Sequence, residues 1–560
     1  MDALKQAAAD LIGDWAKLLA PHYGPSGSMD LDLRDWPTAH GPSYYNQFTP
    51  HALLLLATGR VPGCDQATRA RYLDLALRNI DYTLSITDEE FHTPHYSRGR
   101  EWGRHIGEWL NFYLLCALEI LEQDQLGSAE LRQRLSHAVL GATGALHKCF
   151  VEKYRTPPRE FVGNHDTWHG LLFYRAGRHF DRLEWMDYAR DFFTRCVHPF
   201  QHRDGYWPEG EGIVVGYSMV TALAVSVYAE LSGEQAAHAS IGRFLGFLEY
   251  SELPDGSSAV VLDVRMRYHR APFLFLPPGL LACAEGRQMA LQRMRAGRSH
   301  LNAVGVCDNG AQAFAFFGSF AEFAFADRSR PAELAVSRPI GLPAARLSDE
   351  HWRAYLGWQV VPDHPSRFVL DTQNFVEIWH AAAGYLVGTG GSKFMPRFST
   401  VRRTKGGRAY IPDRAYPVRI TAHEAEVALA FSAEEVTMRL TLTGGGCCVS
   451  ARQSRGAPDA ELEFGLILAL RKGDTLEIDG ATETIDPSVL IHEQGCPRPV
   501  RLMWWRGLEW TLPTGARLDY PLVPHNSYTQ DGLPKPEDYV GRLSFPLSTE
   551  WREITMVCPH

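Results

Sequence analysis

The sequence predicts two large domains in series, an α-helical domain followed by a β-rich one. Its 560 residues exceed what a single compact domain usually holds. Apolar residues recur at three- and four-residue spacing up to about residue 250, as in amphipathic helices. From about residue 350, β-branched and apolar runs separated by turn residues predominate. We therefore expect a helical domain over residues 1–340 and an antiparallel β-sandwich over residues 341–560.

The helical part divides into segments joined by Gly, Pro, Asp and Ser residues, as at Pro62-Gly63. The predicted helical cores are 3–20, 49–59, 65–86, 105–123, 128–150, 168–178, 181–196, 217–232 and 235–250. Two helices per roughly fifty residues indicate helical hairpins, which either stack in an open solenoid or close into an α/α toroid. The periodicity alone leaves both arrangements open.

The chain changes in character between the two parts. Ser258–Val264 is typical of a strand and 272–292 of a helix, while 311–326 fits either class. The clearest later strands are Val427–Phe431, Thr437–Leu442 and Leu462–Leu470. Strands at this spacing without intervening helices fit an antiparallel sandwich.

The composition is that of an ordinary globular protein, with 45% hydrophobic and 22% charged residues. A net charge of −9 argues against a nucleic-acid-binding protein, which would carry a basic surplus. A local cluster of arginines can still bind an anionic ligand inside an acidic chain. The 14 Trp, 22 Tyr and 27 Phe residues supply ring faces on which sugars stack, although a large core uses such residues too.

The cysteine pattern predicts free thiols. None of the ten cysteines forms a CxxC pair or a run with zinc-finger spacing, and several, such as Cys116 and Cys283, have apolar sequence neighbours. We therefore expect no metal and no cofactor.

The first 22 residues are typical of an amphipathic helix and not of a signal sequence, and no run of eighteen apolar residues occurs. This pattern predicts no membrane partner and a cytoplasmic location, or a periplasmic or secreted one if a signal has been removed.

The first of two candidate site segments lies at the start of a predicted helix. Asn164, His165, Asp166 and His169 fall within six residues, just before the apolar run 171–174. In a helix, His165 and His169 would lie one above the other on one face. Asn164 is also a natural N-cap, so the alternative interpretation is a plain helix start that carries a hydrogen-bonded histidine.

The second segment, Asp204–Tyr217, is a turn-rich loop with two glutamates and several aromatic residues. Tyr217 stands at its far end, where a new helix is expected, 52 residues after His165. That spacing is about one helical hairpin, and in a toroid the loops of neighbouring hairpins meet at one mouth. Taken alone, Tyr217 is also compatible with an ordinary aromatic residue packed at a helix start.

An amide, an imidazole and a phenol together suit β-elimination from a uronic acid. The carbon-bound proton beside the carboxylate is very weakly acidic, so an enzyme must neutralise that carboxylate, remove the proton and protonate the leaving oxygen. Asn164 can donate a hydrogen bond to the carboxylate. His165 can take or share a proton near neutral pH. Tyr217 can protonate the leaving oxygen or, as tyrosinate, act as base when positive charge lies nearby.

At these residues the sequence resembles the polysaccharide lyases that combine an α/α toroid with an antiparallel β-sheet domain, namely the alginate and oligoalginate lyases and the heparinase II/III-like enzymes. The resemblance rests on Asn164-His165, on Asp204-Gly205 with its Glu-Gly loop, on Tyr217 and on the helix-then-strand order. It implies a closed toroid, in which Asn164 and His165 neutralise the uronate carboxylate or act as base and Tyr217 is the general acid.

The sequence also departs from that family. Gly163 precedes Asn164, whereas the family often shows Asn-Asn-His. Members place a His or Tyr of the β domain over the cleft, and the resemblance makes His380 and Tyr410 the candidates for this position. No metal motif corresponds to the zinc site that some relatives carry in the β domain.

Several further residues are candidates for substrate contact, because arginine suits bidentate carboxylate binding and tryptophan stacks on sugars. For each of the basic groups, a solvated or ion-paired surface is the default interpretation. The candidates are Arg98, Arg100, Trp102, Arg104, His105, His169, Trp207, Glu209, Glu211, Arg267, His269 and His380.

Three functions fit the sequence, and the first is favoured because an amide, an imidazole and a phenol together serve elimination. The first is a lyase acting on an anionic poly- or oligosaccharide that contains uronic acid. The second is a glycoside hydrolase on the same scaffold, with Asp166 and either Glu209 or Glu211 as the two carboxylates. The third is a non-catalytic glycan-binding protein. Ultraviolet absorbance separates the first two, since only elimination creates a conjugated double bond.

Overall fold

We describe a computed structural model of the chain. It describes residues 2–29, 47–97, 100–101, 103, 106–156, 161–210, 212–265, 272–306, 310–326, 334–361, 364–369, 374–388, 395–457, 461–487, 498–499, 501–527, 529 and 531–558. For 96–97, 100–101 and 498–499 only the backbone is described.

Helices occupy the first part of the chain, as the apolar periodicity predicts. They are α1 (Ala3–Leu19), α2 (Pro50–Ala57), α3 (Gln66–Ser85), α4 (Glu108–Gln123), α5 (Ala129–Lys153), α6 (Asn164–His179), α7 (Leu183–Phe192), α8 (Val215–Ser232), α9 (Gln235–Ser251), α10 (Ala284–Val304) and α11 (Gly310–Phe325). The segment 311–326, which fitted either class, is thus helical. A short 3-10 segment, Pro278–Ala282, precedes α10.

The helices close into a ring, which is the toroid expected from the resemblance. Helix α2 packs against α4, α4 against α6 and α6 against α8; the 3-10 segment packs against α8 and α11, and α11 returns to α2. A second layer lies outside, where α3 packs on α2, α5 on α4, α7 on α6 and α10 on α1. The solenoid alternative is therefore excluded by the contacts of the described helices.

Aromatic side chains fill the inside of the ring. Trp168 of α6 stacks on Phe316 of α11 with ring centroids 5.1 Å apart, and Phe112 of α4 meets Trp168 edge-on at 5.3 Å. Helix α8 is long and apolar enough to cross a membrane by composition, but 72% of it is buried, as in a core helix. Many of the aromatic residues of the sequence thus pack in the core of the ring.

The second part of the chain forms antiparallel sheets. Its strands are β3 (Ala344–Ser348), β4 (Trp352–Gly357), β5 (Val376–His380), β6 (Gly384–Val387), β7 (Val401–Lys405), β8 (Arg408–Tyr410), β9 (Arg414–Ile420), β10 (Glu424–Ala430), β11 (Glu435–Thr443), β12 (Gly446–Arg455), β13 (Glu461–Leu468), β14 (Thr475–Ile478), β15 (Ala481–Thr484), β16 (Arg498–Pro499), β17 (Leu502–Trp505), β18 (Leu508–Thr511), β19 (Arg517–Leu522), β20 (Val540–Pro546) and β21 (Arg552–Val557). A two-stranded hairpin, β1 (Tyr96–Ser97) with β2 (Arg100–Glu101), lies in the helical part.

Two large sheets share one apolar core. The nine-stranded sheet has the order β15-β14-β17-β18-β21-β12-β11-β10-β9, and the ten-stranded sheet follows β16-β19-β20-β13-β6-β5-β4-β3 with β7 and β8 attached to β13. Strand alternation explains the core: in β11, Val436, Met438, Leu440 and Leu442 face inward while the residues between them are mostly more exposed. The antiparallel sandwich predicted from these strands is confirmed.

The chain divides into a helical unit, residues 1–250 and 271–340, and a strand unit, residues 251–270 and 341–560. Residues 251–270 were expected in the helical domain but group with the strands. Within them, the predicted strand Ser258–Val264 is wrong, since Val260–Leu262 is a 3-10 turn. Its apolar run is nevertheless buried, so burial rather than strand pairing accounts for the composition.

Candidate active site

The first turn of α6 carries Asn164 and His165. Gly163, not Asn164, is the N-cap, and its extended backbone leaves Asn164 as the first helical residue. The Asn164 side chain therefore does not cap the helix. Its Nδ2 donates to Oε2 of Glu209 at 3.4 Å, although Asn164 is only 4% exposed. The amide is directed at a carboxylate from the loop before α8.

His165 is held by a buried glutamate that begins α4. Nδ1 of His165 forms a short hydrogen bond with Oε1 of Glu108, whose side chain is 0% exposed. The second oxygen of Glu108 accepts from the backbone N–H of Gly107 at 3.0 Å and lies 3.5 Å from Nε2 of His169. One carboxylate thus orients both histidines of the motif, which lie on one face of α6 as the spacing predicts.

Glu108 and His165 each favour the charged form of the other. Burial alone would raise the pKa of Glu108, but His165 and His169 outweigh it and lower that pKa to about 2. Burial alone would lower the pKa of His165, but the Glu108 carboxylate, with a smaller contribution from Glu209, raises it. His165 therefore keeps a proton to higher pH than an ordinary histidine.

The rings around His165 fix its orientation. Trp109 stacks on the imidazole with centroids 4.3 Å apart and an interplanar angle of 26°. On the other side of the motif, Phe150 stacks on His169 at 4.9 Å. The His165 side chain is 26% exposed, so this imidazole reaches the surface of the helical unit while its Nδ1 side stays buried.

The helices α4, α6 and α8 begin at the same end of the ring. Glu108 and His165 meet in the first turns of α4 and α6, and Phe112 and Trp168 meet one turn further along each. Nε1 of Trp168 donates to the carbonyl of Val220 at 3.0 Å, which links the second turns of α6 and α8. The first turns of all three helices therefore lie side by side.

Tyr217 lies in that first turn of α8 and is half-buried. Because Tyr217 precedes Val220 by three residues and His165 precedes Trp168 by three, the two lie at the same level of neighbouring helices. The structure thus brings Asn164, His165 and Tyr217 to one end of the ring.

The loop before α8 is anchored at several points. At Gly205, φ is +99° and an added Cβ would lie 2.2 Å from the carbonyl oxygen of Arg243, so only glycine fits. Trp207 is 2% exposed and its Nε1 donates to the carbonyl of Val197 at 2.9 Å. The sugar-stacking role expected for Trp207 does not fit this burial. Its role here is to hold the loop that carries Glu209.

Asp166 points away from this end of the site. Its Oδ1 accepts from Nζ of Lys153 at 2.7 Å, and its Oδ2 accepts a short hydrogen bond from the hydroxyl of Tyr154. Both carboxylate oxygens are therefore engaged with the end of α5. This arrangement gives Asp166 a structural role at the start of α6 and does not favour it as one of two hydrolytic carboxylates.

The remaining candidates fall elsewhere. Arg98, Trp102, Arg104, His105, Glu211, Arg267 and His269 lie outside the described residues, and for Arg100 only the backbone is described. His380 is 3% exposed in β5, where its ring packs 4.5 Å from Trp352 and its Nδ1 accepts from the N–H of Ala383. That burial does not fit a substrate contact. Tyr410 is 43% exposed in β8.

Glu108 is the site residue that the sequence analysis missed. An acidic residue is common in the first turn of a helix because the positive end of the helix dipole stabilises its negative charge. Gly107-Glu108-Trp109 therefore gave no sign of function. The partner of Glu108 lies 57 residues away, and only the closed ring shows that the two meet.

Comparison with known proteins supports the fold. No family model and no curated protein matches the sequence. Among solved structures, the chondroitin AC lyase of Streptomyces coelicolor A3 in complex with chondroitin sulphate is 12% identical, with a TM-score of 0.50, over 99% of this chain and 79% of that one. Another chondroitinase AC lyase, solved with oligosaccharides, is 10% identical, with a TM-score of 0.46, over 99% and 82%.

Hydrolases are also among the structural neighbours. An unsaturated glucuronyl hydrolase specific for heparin is 12% identical, with a TM-score of 0.39, over 58% of this chain and 97% of that one. At 12% identity and a TM-score of 0.50, the likeness to the Streptomyces coelicolor lyase shows the fold alone, and the chemistry is argued from the site.

Proposed function

We propose that this protein is a polysaccharide lyase that cleaves a uronic-acid-containing glycan by β-elimination. The observation that carries the proposal is the pairing of His165 with buried Glu108, beside the Asn164 amide and level with Tyr217. The site thus combines a hydrogen-bond donor for a carboxylate, a charged imidazole and a phenol at the mouth of one ring. These are the groups that elimination beside a uronate requires.

Asn164 and His165 neutralise the uronate carboxylate in this proposal. Glu108 accepts a hydrogen bond from Nδ1–H of His165 and favours the imidazolium form of that histidine. The Nε2 proton and the Asn164 amide then stabilise the negative charge that builds up on the carboxylate as the neighbouring C–H bond breaks. The amide already binds the carboxylate of Glu209, which supports its use for this purpose.

Tyr217 acts as base and then as acid in this proposal. As tyrosinate, which positive charge at this end of the ring would favour, it takes the proton from the carbon next to the carboxylate. The same phenol then protonates the leaving glycosidic oxygen, so the proton removed is the proton returned. The products are an unsaturated uronic residue at the new non-reducing end and a free hydroxyl on the other fragment.

The test is a screen of purified protein against uronate polysaccharides such as alginate, glucuronan and glycosaminoglycans, read as ultraviolet absorbance of the unsaturated product. We expect absorbance to rise with the wild type and Tyr416→Phe, and to stay flat with Tyr217→Phe and His165→Ala. Tyr416 is the matched control because it lies on the exposed edge strand β9, where its hydroxyl donates to Glu435 of β11.

Other outcomes select a different function. Release of reducing sugar without absorbance would establish hydrolysis and overturn the lyase proposal. Absorbance that persists in Tyr217→Phe would keep the reaction class but remove Tyr217 from the proton transfer. Binding of a polysaccharide that the wild type leaves uncleaved in both assays would indicate a glycan-binding protein.

A further inference from the structure

A second cluster of polar side chains lies deeper inside the ring and takes no part in the proposed elimination. His51 of α2, Cys116 of α4 and Glu322 of α11 each offer one possible ligand atom, and these atoms lie within 4.8 Å of one another. Cys116 follows Glu108 by eight residues on α4, which places the cluster about 12 Å along the helix from the candidate active site.

Two of the three side chains in the cluster are closed off from solvent, and the third is partly buried. Cys116 is 0% and His51 1% exposed, and the Glu322 side chain is 20% exposed. Nε2 of His51 lies 3.3 Å from Oε2 of Glu322 without forming an aligned hydrogen bond, and Nδ1 has no hydrogen-bond partner among the described residues. A buried imidazole without a hydrogen bond is costly unless it binds something else.

The charges around the cluster are unbalanced without a further cation. Arg175 is buried and donates to both Glu119 and Glu322, at 2.7 and 2.9 Å. One guanidinium and two carboxylates leave one negative charge. A divalent cation together with a Cys116 thiolate brings the sum to zero.

We propose that His51, Cys116 and Glu322 bind one zinc-class divalent ion. Imidazole, thiolate and carboxylate are the ligands that Zn²⁺ takes in proteins. Binding breaks the Cys116 S–H bond, releases that proton to solvent and forms bonds from the sulfur, a ring nitrogen and a Glu322 oxygen to the metal. Arg175 keeps its contact with the other Glu322 oxygen and orients the carboxylate.

The site is structural and independent of the reaction. Its ligands come from three inner helices, α2, α4 and α11, and the contacts of α2 with α4 and with α11 are two of those that close the ring. A metal bound there ties the first helical hairpin to the last helix of the ring. The proposed metal site can therefore be tested independently of the proposed lyase activity.

The test uses the full-length protein, dialysed against a chelator and then titrated with Co²⁺. A cobalt–thiolate bond gives a charge-transfer band in the near ultraviolet, which reports sulfur ligation directly. We expect this band to saturate at one Co²⁺ per chain, to disappear in Cys116→Ser, and to remain in Cys196→Ser, which removes an equally buried thiol of the same unit. Zinc analysis of the undialysed protein should give one ion per chain.

Two measurements on the wild type keep the test decisive if the variant folds poorly. Zn²⁺ should raise the melting temperature of the dialysed protein, because a ligand that binds only the folded state stabilises it. No cobalt band, no bound zinc and an unchanged melting temperature would overturn the proposed metal site. A band that persists in Cys116→Ser would place the metal at another thiol and overturn this site.

Discussion

Replacing Glu108 by glutamine tests the central feature of the candidate active site. The glutamine side chain keeps the shape of the original and an oxygen that accepts from Nδ1 of His165, but it removes the buried charge. The fall of the Glu108 pKa from 4.5 to about 2 corresponds to about 3 kcal/mol of folded-state stabilisation, at 1.36 kcal/mol for each pKa unit. Glu108→Gln should lose about that much stability.

The loss should depend on pH in a defined window. A carboxyl whose pKa is lowered by folding contributes stability above its ordinary pKa, and that contribution disappears as pH falls towards 2. The raised pKa of His165 contributes stability below its ordinary value of 6.5, which is lost as pH rises through the folded-state value. The difference between wild type and Glu108→Gln should therefore be largest between about pH 4.5 and 6.5.

Two assays check this prediction. Unfolding monitored by the helical circular dichroism signal gives the stability difference at about pH 5.5 and at about pH 3, and steady-state elimination gives the pH profile. We expect kcat/KM to fall about 10- to 100-fold and the limb due to His165 to move to lower pH. Glu130, an exposed glutamate in the first turn of α5, provides the matched control: Glu130→Gln should cost at most about 1 kcal/mol and leave the pH profile unchanged. Equal stability of Glu108→Gln and wild type at both pH values, with an unchanged profile, would refute the role assigned to this carboxylate.

Three further changes test parts of the site separately. Glu209→Gln should lower KM for an anionic substrate on the order of tenfold, because it removes a carboxylate that competes for the Asn164 amide. We expect kcat to change little, and an unchanged KM would contradict this prediction. Tyr154→Phe should lower the free energy of unfolding by about 1–3 kcal/mol, since it removes a hydrogen bond to Asp166; a thermal melt identical to wild type excludes it. Gly205→Ala should cost at least about 1–3 kcal/mol from its positive φ alone, before the clash with Arg243 is added; wild-type stability and activity would show that the loop can shift.

The fold was largely predictable because its elements carry strong periodic signals. In β11, alternating Val436, Met438, Leu440 and Leu442 face the core, and the chain around them could not form an equally well-buried helix. Ser258–Val264 misled the prediction because a short apolar run signals burial without specifying the backbone. The resemblance predicted the closed ring, whereas the apolar periodicity did not, because a helical hairpin has the same periodicity in a solenoid and in a toroid.

The candidate site was predictable only where its residues are close in sequence. Asn164, His165 and His169 share one helix, so their spacing fixed their relation. Glu108 meets His165 across two helices, and no local pattern encodes that contact. Trp207 and His380 were chosen by residue type, and residue type alone does not distinguish a stacking surface from a core position.

The start of α6 removes one part of the plain interpretation of its motif, since Asn164 is not the N-cap. Had Asn164 been the N-cap, its side chain would have been used by the helix and would have offered nothing to a ligand. Gly163 takes that place, and the amide binds the carboxylate of Glu209 instead. An enclosed polar group needs a partner, so in the free protein Glu209 serves where, in our proposal, a uronate carboxylate would bind. Substrate must then displace Glu209 before the carboxylate contacts Asn164 and His165, which is why charge removal at Glu209 should improve binding without improving catalysis.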